Sequence, residues 1–193
     1  MKKIVTAILV ASLLVPTLIT AREYVIDSAH TTIGFKVIHM TIARVSGWFE
    51  EFSGTFSIDD KNQLDAMEAE IKVNSLNTKI EKRDDHLRSA DFFEVATYPD
   101  ITFKTVSVAP KGTDSFLVKG ELTIKNQTIS VELDGEISGP IKDPWGNERA
   151  AILLSGEINR KDFGLNWNKV IETGGLLVGD MVQINLEGEG IRK

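Results

Sequence analysis

Apolar and polar positions alternate with a period of two along most of the chain. In Ile33-Gly34-Phe35-Lys36-Val37-Ile38-His39 the odd positions are mostly apolar. In Leu122-Thr123-Ile124 and Ile129-Ser130-Val131-Glu132-Leu133-Asp134 the alternation is nearly strict, and Val182, Ile184 and Leu186 alternate with Gln183, Asn185 and Glu187. Successive side chains of a strand leave on opposite faces, so this pattern predicts half-buried strands. Further strands are predicted at 23–27, 46–58, 66–74, 100–108, 115–124, 149–158 and 162–168. Asp59-Asp60-Lys61-Asn62, Pro110-Lys111-Gly112, Gly139-Pro140 and Asp143-Pro144-Trp145-Gly146-Asn147 supply turns between them. Lys125-Asn126-Gln127-Thr128 reads as a hairpin loop, with Asn126 able to take a positive φ.

One stretch breaks the period. From Lys79 to Phe92 there is no Gly or Pro, and Ile80, Arg83, Leu87 and Ala90 recur at helical spacing. Asp84 and Arg88, four apart, would add a few tenths of a kcal/mol on a helix. The reading is one helix inserted among antiparallel strands, in an all-β domain that forms a sandwich or a closed barrel, the latter being what about eight strands in one domain would make. The interior of such a barrel is filled by side chains or holds one small ligand.

Alternation alone does not say which face is inside. An integral outer-membrane barrel would carry the same period with apolar residues toward lipid. Glu68, Glu70 and Lys72 on one strand and Glu132, Asp134 and Glu136 on another oppose this, because a narrow lumen would have to pair all of them. The helical segment has no place in a spanning hairpin, and the chain ends Gly-Ile-Arg-Lys without a terminal aromatic.

The first 21 residues stand apart from the pattern. Met1-Lys2-Lys3, an apolar run from Ile4 to Val15 and the small residue Ala21 have the order of a cleaved signal peptide. Residues 22–193 then form the domain, and periplasmic localisation is expected. The whole chain carries a net charge of −6, with 22 basic and 28 acidic residues. Residues 1–21 hold two lysines and no acid, so the remainder is more acidic still. That balance argues against a nucleic-acid surface. With no cysteine, disulfides, thiolate metal ligands and thiol nucleophiles are excluded.

Candidate chemistry is sparse. His30, His39 and His86 are the three histidines, and His30 and His86 have acids nearby, as in Asp27-Ser28-Ala29-His30 and Asp84-Asp85-His86. No pair has metal-ligand spacing on one element, and there is no Gly-x-Ser-x-Gly elbow. An enzyme using His30 or His86 with neighbouring carboxylates is the alternative these residues leave, beside local capping and hydrogen bonding. Gly174-Gly175 and Gly179 do not open a helix after a strand and so form no phosphate loop. The 14 aromatics are more informative, since a barrel lined with large apolar side chains suits a long apolar ligand.

Ser46-Gly47-Trp48-Phe49-Glu50-Glu51-Phe52-Ser53-Gly54-Thr55-Phe56 resembles the early strand pair of the YceI-like family of exported proteins. Arg83-Asp84-Asp85-His86-Leu87-Arg88-Ser89-Ala90-Asp91-Phe92-Phe93, followed by Tyr98-Pro99-Asp100-Ile101-Thr102-Phe103, is similar to that family's most distinctive run. Leu122-Thr123-Ile124-Lys125, Asn159-Arg160-Lys161-Asp162-Phe163-Gly164-Leu165 and Val178-Gly179-Asp180 complete the order, with Asn126 where a Gly is usual. The resemblance implies a single eight-stranded, elongated, lipocalin-like antiparallel barrel with one inserted helix, in a periplasmic protein without catalytic machinery. Its implied role is to bind, sequester or transport a long apolar lipid: a polyisoprenoid, an isoprenoid quinone or a related amphiphile. No cofactor is expected beyond that ligand. Phe35, Val37, Trp48, Phe49, Phe52, Phe56, Phe93, Phe103, Trp145, Phe163, Leu165 and Trp167 are the candidate ligand-binding residues. Arg83, Asp84 and His86 either fasten the helix to the barrel or meet a head group, a charged cluster at such a joint being more often structural. No metal site is expected. Transient contact with a membrane and a homodimer stay open.

Overall fold

The computed structural model describes residues 21–172 and 174–193. The predicted signal peptide lies outside the described residues, except for Ala21. Eleven strand segments form one antiparallel sheet. They are β1 (Arg22–Ile26), β2 (Thr32–His39), β3 (Ala43–Phe49), β4 (Phe52–Ile58), β5 (Leu64–Lys72), β6 (Leu76–Asn77), β7 (Asp100–Pro110), β8 (Ser115–Ile124), β9 (Gln127–Lys142), β10 (Glu148–Asn159) and β11 (Val178–Arg192). One helix, α1 (Glu81–Arg88), lies between β6 and β7.

Three long strands are each broken in two. β1 and β2 lie end to end along β11, with Ile26 opposite Gly190 and Thr32 opposite Glu187; a 3-10 turn, Ser28–His30, bends the chain between them. β3 and β4 run back along this pair, with Val45 opposite Val37 and Thr55 opposite Val25. The predicted strand 46–58 is therefore two segments. At the break, Ser75 Oγ accepts from the N–H groups of Glu50 and Glu51 at 3.1 and 2.9 Å, in place of the ladder. β5 and β6 make the third broken strand, around the 3-10 turn Val73–Ser75. Counted this way, eight strands follow one another up and down, and the β1–β11 pairing closes the barrel.

The register gives the barrel two ends. The lower end carries Arg22, the 59–63, 111–114 and 143–147 turns and the C-terminus. The upper end carries the 40–42 turn, the 78–99 segment with α1, the Lys125–Asn126 turn and the 160–177 segment. Apolar side chains point inward and charges outward. Val131, Leu133 and Ile137 are buried while Glu132, Asp134 and Glu136 between them are exposed. This is the opposite sidedness to a lipid-facing barrel. Outer charges pair across strands, as Lys104 with Glu68 at 2.8 Å and Lys72 with Asp100 at 2.9 Å.

Large side chains fill the centre of the lower half. Tyr24 stacks on Phe56 with ring centroids 5.2 Å apart, and Phe116, Ile58, Val118 and Ile152 around them are fully buried. Tyr24 donates its hydroxyl to Glu148 at 2.7 Å; burial first, and the adjacent carboxylate second, push its phenol up to about 12.

Local structure departs from the alternation pattern at four places. The helix is shorter than predicted, and Ile80 is half exposed at its entry. Asp84 and Arg88 do not pair: Arg88 meets Asp85 at 3.2 Å and donates to the carbonyls of Asn74 and Leu76, while Asp84 turns inward. The positive φ of the 125–126 turn belongs to Lys125 (55°), not Asn126. Residues 162–168 form no strand: Arg160–Phe163 is a 3-10 turn, ended by Gly164 at φ 76°.

A blind apolar cavity under a helical cover

A cavity of about 180 Å³ occupies the upper half of the barrel. Phe35 and Val37 of β2, Phe49 of β3, Ile71 of β5 and Phe103 of β7 form part of its wall. It reaches down to Met67, Leu133 and Leu154, where the Phe116 and Phe56 rings close the barrel. Leu87 of α1, with Phe92 and Phe93 just after it, covers the upper end. The cavity is thus blind at one end and covered by a short helix at the other.

The cover is held by polar contacts that keep out of the cavity. Asp84, buried, accepts from the Thr78 N–H at 3.0 Å and from the Thr78 hydroxyl. Arg83 donates Nε to Thr78 Oγ1 and Nη2 to the Thr78 carbonyl, both at 2.7 Å. His86 Nε2 lies 2.8 Å from Asp91 Oδ2, and its ring meets Phe92 and Trp167 edge-on at 5.1 and 4.8 Å. All three side chains therefore tie α1 to Thr78, just after β6, or to the 89–92 and 164–167 segments.

Of the aromatic and apolar candidates, the structure brings Phe35, Val37, Phe49, Phe93, Phe103 and Leu165 together around the cavity. The other six lie elsewhere. Trp48 sits between the inward Gly47 and Phe49, points outward and lies under the Lys79 ammonium at 5.2 Å. Trp145 is 81% exposed in the β9–β10 turn at the lower end. Phe56 belongs to the plug, Phe52 packs half-buried against the core, and Phe163 is buried in its 3-10 turn. Trp167 packs on Phe92 and His86 outside the wall. The histidines are not gathered: His30 meets Asp27 at 2.9 Å beside Arg149, His39 ends β2, and His86 is on the cover. Among the described residues no group of three or more His, Asp or Glu could hold a metal ion.

Arg160 is the residue sequence reasoning left unassigned. Its side chain is 4% exposed and lines the cavity. Nε donates to the Gly179 carbonyl at 2.8 Å; Nη1 donates to the carbonyls of Leu165 and Trp167, the latter at 3.0 Å. Nη2 reaches the Val178 carbonyl and Asp180 Oδ1 at 3.5 and 3.3 Å. Burial lowers its pKa, and Asp180 opposes that. All five N–H groups are used, so the guanidinium braces the 164–180 segment and has none left for a ligand. The period of two held the signal: Ile152, Leu154 and Ile158 face inward, and Arg160 continues their parity.

An eight-stranded up-and-down barrel with a blind apolar cavity belongs to the lipocalin-like class. A family model described as YceI-like domain matches residues 24–190, and the chain belongs to that family. It is 40% identical to a UPF0312 protein of Shewanella denitrificans, over 85% of this chain and 87% of the relative. It is 38% identical to Protein YceI of Salmonella newport, over 86% and 88%. Among solved structures, Campylobacter jejuni YceI superposes with a TM-score of 0.70 at 32% identity, covering 86% of this chain and 96% of that one. Burkholderia cenocepacia BcnA gives 0.74 at 23%, over 85% and 98%. A polyisoprenoid-binding domain from Saccharophagus degradans gives 0.61 at 18%, over 90% and 100%. The last two are likenesses of fold.

Proposed function

We propose that this chain binds a long apolar lipid, an isoprenoid chain or a related amphiphile, in the upper cavity and sequesters or carries it through the periplasm. The observation that carries this reading is the cavity itself: a blind, almost wholly apolar hole whose one brace of charge is fully used by the protein. The likeness in fold to a domain that binds polyisoprenoid points the same way. Burial of each methylene contributes about 0.8 kcal/mol. Ten such groups give roughly 8 kcal/mol, comparable with an association cost of about 4–15 kcal/mol. Burial of the apolar tail is therefore the driving force this reading relies on, and it calls on no catalytic group.

In this reading Arg83, Asp84 and His86 fasten the cover rather than meet a head group. Phe35, Val37, Phe49, Phe93, Phe103 and Leu165 contact the tail. Native mass spectrometry of protein taken from its own cells, followed by lipid extraction, tests the proposal. A co-purifying apolar mass, or uptake of added polyprenol or quinone, is expected. A chain that comes empty and takes up neither refutes it.

A further inference from the structure

Two neighbouring turns at the upper rim expose apolar side chains. Ile38, Met40 and Ile42 lie at the end of β2 and in the β2–β3 turn; Ile42 is 85% exposed. Val170 and Leu176, bridged to one another, form a second tip, and Val170 is 73% exposed. Met181 on β11 is half exposed. The tips are tied together: the Met40 N–H donates to the Leu177 carbonyl at 2.8 Å. A Cβ on Gly179 would stand 3.2 Å from that of Ile38.

The β2–β3 turn is apolar against local backbone preference. Met40 and Thr41 both have positive φ, 52° and 65°. Consecutive left-handed residues in a hairpin loop are normally Gly or Asn, and a β-branched residue there is an outlier. Here Met and Thr occupy the turn, and Ile follows.

We infer that this rim is a membrane-docking surface that sets the cavity mouth on a bilayer with anionic head groups. The inference rests on the lipid-binding reading for its purpose. The patch is continuous with the cavity: Val37, Val178 and Val182 line the hole, while Ile38 and Met181 on the same strands face out. A lipid leaving a cavity that is blind below leaves past this rim. Charge agrees with the partner. Lys36, Arg44 and Lys169 are exposed around the patch and have no ion-pair partner among the described residues, against one exposed carboxylate, Glu172, in the Val170–Leu176 tip; Lys169 lies over Trp167. An apolar tip with three such cations against one such carboxylate matches an interface of acyl chains below anionic phosphates, and exposed apolar clusters of this kind mark interaction sites.

Flotation of the purified protein, residues 22–193 as left by the predicted signal-peptide cleavage, with vesicles of phosphatidylethanolamine and phosphatidylglycerol tests the surface. The protein is expected to float, and the Ile42→Asp, Val170→Asp double variant to lose about tenfold or more in partitioning. Both residues lie outside the core, so the variant's thermal melt is expected to match the parent's. Farnesol uptake from solution, read by native mass spectrometry, is expected to be unchanged in the variant. A parent chain that does not float, or a variant that floats equally well, overturns the docking surface. A chain that floats but never takes up farnesol or a longer polyprenol overturns the lipid-binding reading and leaves the docking surface standing.

Discussion

Phe35 and Gly47 face each other across β2 and β3, and the ring of the one fills the space a side chain on the other would need. A Cβ on Gly47 would lie 2.5 Å from Phe35 Cζ and 2.8 Å from Thr78 Cγ2. Gly135 stands in the same relation to Phe116, at 2.2 Å from Cε2. Aromatic rings lie flat on the barrel wall because glycine stands beneath them.

Gly47→Ala is therefore expected to cost about 1–3 kcal/mol of stability in urea unfolding. It should also push Phe35 into the cavity and lower polyprenol uptake. Gly135→Ala, which disturbs only the plug, should lower stability with much less effect on uptake. Equal uptake by the Gly47 variant and the parent would show that Phe35 does not shape the binding space.

Asp84 holds the cover by accepting twice from Thr78. Asp84→Ala leaves a buried N–H and a buried hydroxyl without their acceptor, a loss of about 1–3 kcal/mol. Hydrogen exchange should speed up over residues 78–92 first, with the plug strands still protected. Uniform loss of protection would instead mean that the cover and barrel open together.

Replacing Arg160 by Lys keeps the charge but supplies three donors where five are used. At least two acceptors of the 164–180 segment would lose their partners, so a destabilisation of about 1–3 kcal/mol is expected. Limited proteolysis should cut the variant first between 164 and 177. An uncut segment in a destabilised variant would place the cost elsewhere.

Acid should loosen the lower end before the upper. Asn147 and then Arg149 hold the Asp143 carboxyl far below its usual range; His30 and then Arg149 do the same, less strongly, for Asp27. Both folded-state values are depressed, so their stabilisation is present above an unfolded value of about 3.9. It is lost as pH falls through the folded values. The melting temperature should drop as pH is lowered from about 5 to about 2. Asp143→Asn should lower the melt at neutral pH and flatten that slope; an unchanged slope would assign the acid sensitivity to other carboxylates.

The alternation of β8, β9 and β11 was legible because each has one face in the core and one in water, and the barrel with one inserted helix follows from it. Two kinds of information were not in the period, and a third was in it but unused. Depth along the barrel is one: Phe56 and Phe49 both face inward, yet one plugs the floor and the other lines the cavity. Ladder partners are another. Phe163, Leu165 and Trp167 alternate like a strand, but the Leu165 and Trp167 carbonyls are claimed by Arg160. The third was available and unused, since parity alone puts Trp48 outside between Gly47 and Phe49. Counting aromatics without their parity overstates the wall.

The plug of Tyr24, Phe56 and Phe116 gives the barrel a single doorway. A tailed molecule in such a vessel has a fixed order of travel: the tail enters first and the head leaves first. On the lipid-binding reading proposed above, the head group would therefore stay at the threshold throughout.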